Sequence, residues 1–207
     1  MLRKKGQAVG PVKRRADVRR VREHMRKSYR HGELYALMWA CGCNLGLRAG
    51  DLRELTAGVL QKKGPIAFTE RKNGRRRVLY ANASVRAAYG HFLRNTGTVF
   101  VDPGARLFWG QKGTPLQVKH MHRVVKESCA AVGLRGNYGS HTMRKTFGYH
   151  AYRRSRTAQN LRLVMEAFGH TQLKYTQAYT GVDDGMGPHA GGNPRRTLED
   201  LYMSLNL

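Results

Sequence analysis

Ser140-His-Thr-Met-Arg144-Lys-Thr-Phe-Gly-Tyr-His-Ala151 is the stretch on which the reading of this chain turns. A serine ahead of a helix-forming run is a good N-cap, so a helix is predicted over 140–154 with Ser140 at its start. His141 and Arg144 stand three apart, which puts both on one helix face, where a single phosphate could meet them. Downstream, Phe168-Gly-His170-Thr precedes Thr176-Gln-Ala-Tyr179, so a histidine stands nine residues before a tyrosine. Upstream, Leu47-Arg48-Ala-Gly-Asp51 reads as a junction between two helices. Lys72-Asn-Gly-Arg75 lies between two alternating apolar runs, with Ile66 and Phe68 before it and Val78 and Tyr80 after it. Asn-Gly between such runs signals a tight hairpin, which would set Lys72 beside the turn.

Two arginines, two histidines, a lysine and a tyrosine suit one reaction, attack of a tyrosine hydroxyl on a phosphodiester. The phosphorus under attack gathers negative charge on its nonbridging oxygens, so fixed cationic donors must surround it. Arginine keeps its proton and grips two oxygens at once, which makes Arg48 and Arg144 the candidates. A free tyrosine titrates near pH ~10, so its hydroxyl needs a proton acceptor and nearby positive charge; His141 or His170 could assist. A lysine on a mobile hairpin can protonate the leaving oxygen if its pKa is lowered. Lys72 is equally readable as a backbone contact in a basic loop with Arg71, Arg75, Arg76 and Arg77.

In order and neighbours these motifs resemble the tyrosine recombinases, the phage-integrase family of site-specific DNA recombinases, over about residues 11 to 182. The resemblance implies a tyrosine recombinase catalytic fold, with Arg48, Lys72, His141, Arg144, His170 and Tyr179 as catalytic residues. Tyr179 would be the nucleophile, forming a 3'-phosphotyrosyl bond and freeing a 5'-hydroxyl. Tyr175 sits one residue before the threonine that precedes the family's nucleophile by three, and is expected to pack instead. Where the family often carries a glutamate after the first arginine, this chain has Asp51, which could still orient Arg48. The chain looks like the small members that consist of a catalytic domain alone, and Met1 with the closing helix suggests a whole product. Clamping of DNA would then fall to the N-terminal leader, to contacts between protomers, or to another protein such as an accessory DNA-bending factor.

Composition fits a polyanionic partner. The 207 residues carry 38 Lys+Arg against 13 Asp+Glu, a formal charge of +25, while 41% hydrophobic content supplies a core. Double-stranded DNA is the expected partner, with Lys13, Arg14, Arg15, Arg71, Arg75, Arg76, Arg77 and Lys145 as contacts. An RNA-binding or ribosomal role accounts for the charge but not for the motifs. No apolar run approaches the ~18 residues a membrane span needs, and the Arg-rich opening lacks a signal peptide's apolar segment, so a cytoplasmic location is expected. Three cysteines, Cys41, Cys43 and Cys129, lack the paired spacing of a disulfide framework or zinc site. His120 and His122 should point to different helix faces, and Asp183-Asp184 reads as a solvated turn. No metal or nucleotide cofactor is expected, since a covalent tyrosine link would store the phosphodiester's energy.

The periodicity predicts a mainly α domain with a small antiparallel sheet (α+β). Residues 1–16, with Arg3, Lys4, Lys5, Lys13, Arg14 and Arg15, read as a flexible basic leader. The catalytic domain is expected over 17–182, beginning with a helix whose stripe is Val18, Val21, Met25 and Tyr29. Leu34, Leu37, Met38 and Cys41 mark a second helix broken by Asn44-Leu45-Gly46, and further helices are expected near 83–95, 116–132 and 159–168. A Gly/Pro-rich linker over 183–196 leads to an amphipathic helix over 197–207, capped by Thr197 and Asp200, with Leu198, Leu201, Tyr202 and Leu205 as its stripe. The linker's length favours exchange of this helix between protomers, assembling dimers to tetramers on DNA, over packing on its own domain. A type IB topoisomerase relaxing supercoils and a non-catalytic DNA-binding protein on the same fold are the alternatives.

Overall fold

The computed structural model describes residues 8–110, 113–180 and 195–207. Arg3, Lys4, Lys5 and the Gly/Pro-rich stretch up to residue 194 lie outside them. Within them the chain forms α1 (Arg15–Ser28), α2 (Gly32–Leu45), α3 (Ala49–Leu52), α4 (Ala57–Gln61), β1 (Ile66–Thr69) and β2 (Arg76–Leu79). There follow α5 (Ala83–Thr96), α6 (Val118–Ala131), α7 (Ser140–Arg153), α8 (Ala158–Phe168), α9 (Leu173–Thr180) and α10 (Leu198–Met203). This is the predicted mainly helical domain with one small antiparallel sheet. No described helix is long and apolar enough to cross a membrane.

The core forms around α2, which is apolar on every side because other helices surround it. Tyr35 through Leu45 are all buried, and α1, α5 and α7 pack against this helix. The predicted stripe of α1 is inside, with Val18, Val21 and Met25 fully covered. Helix α6 presents Met121, Val125 and Cys129 to the core, as its spacing predicts, while Cys41 packs within α2. Asn44 does not break α2. The helix runs to Leu45 and closes at Gly46, and Asn44 is a fully buried hub. Its Nδ2 donates to Ala40 O at 2.9 Å and Leu207 O at 3.1 Å. Its Oδ1 accepts from Asn82 Nδ2 at 2.9 Å and Leu207 N at 3.0 Å. Burial of this amide is tolerable because its donors and acceptor are all matched.

Several boundaries differ from the sequence reading. The leader does not stay free up to residue 16. Gly10 N donates to Asn137 O at 2.8 Å, Val12 N to Thr146 Oγ1 at 2.9 Å, and Val12 O meets His150 Nε2 at 3.0 Å. These long-range bonds are invisible to local periodicity. Helix α1 consequently begins at Arg15, with Lys13, Arg14 and Arg15 exposed at its start. Ser140 is the first residue of α7, not its cap; Gly139 holds that position and donates its N–H to Thr142 Oγ1 at 3.0 Å.

The hairpin has the expected strands but a different turn and parity. The register pairs Ile66 with Leu79 and Thr69 with Arg76, leaving six residues, Glu70 to Arg75, as the connection. Glu70 N donates to Arg75 O and Gly74 N to Glu70 O, both at 2.9 Å, and Asn73 Oδ1 accepts from Arg75 N at 3.2 Å. Lys72 therefore sits within the turn. Arg77 and Leu79 point inward, whereas Val78 points out, the reverse of the predicted Val78 and Tyr80 face.

Helix α10 keeps its predicted cap, with Thr197 N donating to Asp200 Oδ2 at 2.8 Å and Asp200 N to Thr197 Oγ1 at 3.2 Å. In the single chain it lies on its own domain. Leu201, Tyr202 and Leu205 are fully covered, Tyr202 against Phe147 with ring centroids 5.3 Å apart, and Asn82 Nδ2 donates to Tyr202 O at 3.1 Å.

Candidate active site

The motif residues, 131 positions apart in sequence between Arg48 and Tyr179, meet at one cleft of about 950 Å³. Arg48, Lys72, His141, Gly169, His170 and Tyr179 line it. Arg144 lies beneath its floor, only 1% exposed. The folding reasons are local. Gly46 ends α2 and Arg48 caps α3, so the first arginine emerges at a helix junction, as its motif predicts. Gly169 closes α8 in the left-handed region at φ 64, a conformation that glycine adopts without a Cβ penalty, and this turn swings His170 into the cleft. Gly148 lets α7 approach α8 and α9: a Cβ there would lie 2.7 Å from Phe168 Cζ and 3.1 Å from Tyr179 O.

Arg144 is held as a planar fork. Nη1 donates to Gly46 O at 2.7 Å and Nη2 to Phe168 O at 2.8 Å, while the guanidinium carbon stands 4.4 Å over the Phe168 ring. Burial, then the neighbouring Arg77 and Arg48, bring its pKa down to about 9, which keeps it cationic at neutral pH. Its Nη2 also approaches His170 Nε2 at 3.4 Å, and His170 Nδ1 lies 3.0 Å from Thr176 Oγ1. Because arginine can only donate, Nε2 must be the acceptor, which puts the His170 proton on Nδ1 facing the threonine. Desolvation first, then Arg144, Arg48 and Arg77, lower His170 to about 4, so the ring is neutral at pH 7. His141, exposed on α7, is likewise lowered by partial desolvation and by Arg144, Arg48 and Lys145. No hydrogen bond occupies its ring among the described residues.

Tyr179 is half-buried. Its ring centroid lies 5.2 Å from Phe168 and 5.6 Å from His170, with Lys145 Nζ at 5.6 Å. Its hydroxyl makes no hydrogen bond among the described residues. Tyr175 also borders the cleft but is 51% exposed.

The basic residues expected on DNA divide. Lys72, Arg71 and Arg76 are exposed, Arg71 pairing with Glu54 at 2.9 Å. Arg75 is exposed but commits Nη1 to Gly169 O at 2.7 Å, tying the hairpin to the His170 turn. Lys145 lies half-buried beside Tyr179, and burial lowers its pKa. Arg77 is a correction: its side chain is 2% exposed and pairs with Glu70 at 2.9 Å, out of reach of a DNA backbone. Asp51 is a second correction. Its Oδ1 accepts from Arg71 N at 3.0 Å, and the carboxylate that meets Arg48 is Glu70, with Arg48 Nη1 at 2.7 Å from Oε1. The sequence reading missed Glu70; a carboxylate ending an apolar strand inside a cluster of arginines was the available signal.

Acid sensitivity follows from the buried imidazoles. His150, bonded to Val12 O, is lowered to about 4 mainly by burial, as is His170. Both bind a proton in the unfolded chain near pH ~6.5 but resist it when folded, so stability is full above pH ~6.5 and declines as pH falls toward about 4. Urea titration at pH 5 is expected to show a loss of roughly 2 kcal/mol for each histidine relative to pH 7. A His150→Gln variant should lose less between the two pH values than the wild type.

A model of the phage integrase family matches residues 14–186. The probable integrase/recombinase YoeC of Bacillus subtilis is 28% identical over 146 residues, covering 69% of this chain and 75% of that protein. The tyrosine recombinase XerC of Rhizobium meliloti is 28% identical over 156 residues, covering 74% of this chain but 46% of its own length. The chain thus spans about half of the XerC proteins it matches. Among solved structures, XerH site-specific recombinase bound to palindromic difH substrate aligns with a TM-score of 0.68 at 20% identity, over 87% of this chain and 53% of that one. XerA recombinase aligns at 0.67 and 18% identity, over 90% of this chain and 64% of that one. At these identities the structures establish the shared fold.

Proposed function

The chain belongs to the phage integrase family, and on that premise we propose that it is a site-specific DNA recombinase that cuts and rejoins strands through Tyr179. The observation that carries this reading is the convergence of Arg48, Lys72, His141, His170 and Tyr179 on one cleft over the buried cation of Arg144. Tyr179 Oη attacks phosphorus, an O–P bond forms, and the P–O5' bond breaks. The tyrosine proton passes to His141, the histidine whose ring is open, since His170 is engaged at both nitrogens. The 5'-oxygen takes its proton from Lys72. Arg48 meets the nonbridging oxygens at the cleft wall. Arg144 acts from below as fixed positive charge in a low-dielectric setting, where such charge counts for more than in water. Attack by the 5'-hydroxyl of a second strand reverses the sequence and completes exchange.

Double-stranded DNA is the substrate this reading requires, and two sites must be held together for exchange. Handing α10 to a neighbouring protomer would uncover Leu201, Tyr202 and Leu205 and break the Asn44 and Asn82 bonds, so a partner must re-cover that stripe. The packing of α10 on its own domain supports a second reading, a self-sufficient monomer that nicks, relaxes and reseals one duplex. A supercoiled plasmid carrying two copies of the DNA flanking the gene separates them, assayed in EDTA. Deletion or inversion products support recombination. Relaxed plasmid alone favours the topoisomerase-like reading, and bound but unchanged plasmid contradicts both.

A further inference from the structure

The buried carboxylate of Glu70 has no part in the chemistry above, yet it touches the machinery. Its side chain is 0% exposed, and one oxygen, Oε1, is shared by Arg48 Nη1 at 2.7 Å and Arg77 Nη1 at 2.9 Å. Arg48 is 27% exposed at the cleft, whereas Arg77 is 2% exposed and lies on β2 beneath the hairpin. Resting on the recombinase reading, we propose that Glu70 is a positioning residue for Arg48; Arg77 shares the carboxylate but does not orient Arg48.

Three observations support this. A buried ion pair is a poor source of stability, since apolar side chains of similar size usually do as well or better, so orientation is the better account of three charges placed here. Glu70 Oε2, Arg77 Nε and Nη2 and Arg48 Nη1 have no hydrogen-bond partner of good geometry among the described residues, so Arg48 meets Glu70 as an ion pair and the cluster is not arranged to satisfy every group. The contact is also reciprocal. Asp51 on α3, three residues after Arg48, accepts from Arg71 N at 3.0 Å, while Glu70, one residue before Arg71, holds Arg48. The helix junction and the Lys72 turn therefore fix each other. Burial opposes ionisation of Glu70, but the two guanidiniums of Arg48 and Arg77 outweigh it and hold its pKa below the usual carboxylate value.

Removing Glu70 alone would leave Arg77 buried and unpaired, so misfolding would confuse the result. The informative pair is Arg77→Met and the double variant Glu70→Leu/Arg77→Met, compared with wild type. Arg77→Met should cleave nicked DNA within about 3-fold of wild type, whereas the double should melt no lower and bind DNA normally yet cleave about 30-fold slower or worse, approaching the loss of a fixed donor. Nitrogen-15 NMR of the Arg48 guanidinium provides a readout independent of cleavage. Hindered rotation is expected in wild type and Arg77→Met, and free rotation in the double. A folded double variant that cleaves like wild type, or one whose Arg48 rotation is unchanged, overturns the proposal. If wild type forms no covalent adduct, the recombinase reading fails while the NMR comparison still decides the role of Glu70.

Discussion

Arg144→Lys is expected to slow strand cleavage by about 10²- to 10³-fold, the range for loss of preorganised electrostatic stabilisation, because the charge is retained but no longer fixed beneath the cleft. The guanidinium reaches Gly46 O and Phe168 O with separate nitrogens while lying flat on Phe168. An ammonium is a point charge on a flexible stem and cannot hold both carbonyls and the ring in that geometry. At least one buried carbonyl would lose its partner, costing about 1–3 kcal/mol of stability. Release of His170 Nε2 should also free the imidazole that Arg144 now orients. Single-turnover cleavage and urea denaturation measure the two effects separately. Cleavage within about 3-fold of wild type would remove Arg144 from the account.

Tyr179→Phe should eliminate the covalent adduct and leave everything else in place. The hydroxyl makes no hydrogen bond among the described residues, and the ring keeps its neighbours Phe168 and His170 at 5.2 and 5.6 Å. Stability should therefore change by no more than about 0.5 kcal/mol, and DNA affinity should not change. Tyr175→Phe is the contrasting variant: Tyr175 is 51% exposed, on the same cleft and the same short helix, and its loss should leave the adduct intact. Equal loss in both variants would point to a packing effect of α9.

The helices that carry the site were legible because their signals are local. Val18, Val21 and Met25, the cap at Thr197, and the Gly169-His170 turn each follow from a few neighbouring residues. What failed depended on distant partners. The parity of β2 was misread because Arg77 looks like an outward residue until Glu70, in the turn, is known to be buried and paired with it. Val12 was assigned to a free leader because Thr146 and His150, more than 130 positions away, hold it. The seat of α10 in the single chain includes Asn44 and Asn82, and Asn44 reads in sequence only as a helix break. Asp51 took its expected role from the glutamate that the family often carries after its first arginine, whereas the fold turned it toward Arg71 and brought Glu70 in from the next hairpin.

The most direct measurement is to trap the protein in EDTA on nicked DNA from the region flanking its gene, digest the adduct and locate the linkage by mass spectrometry. The account predicts one phosphotyrosyl peptide containing Tyr179, joined to the 3' end of the cleaved strand with a free 5'-hydroxyl left behind. A linkage to another residue, attachment through the 5' end, or tight binding without any adduct across such DNAs would contradict it.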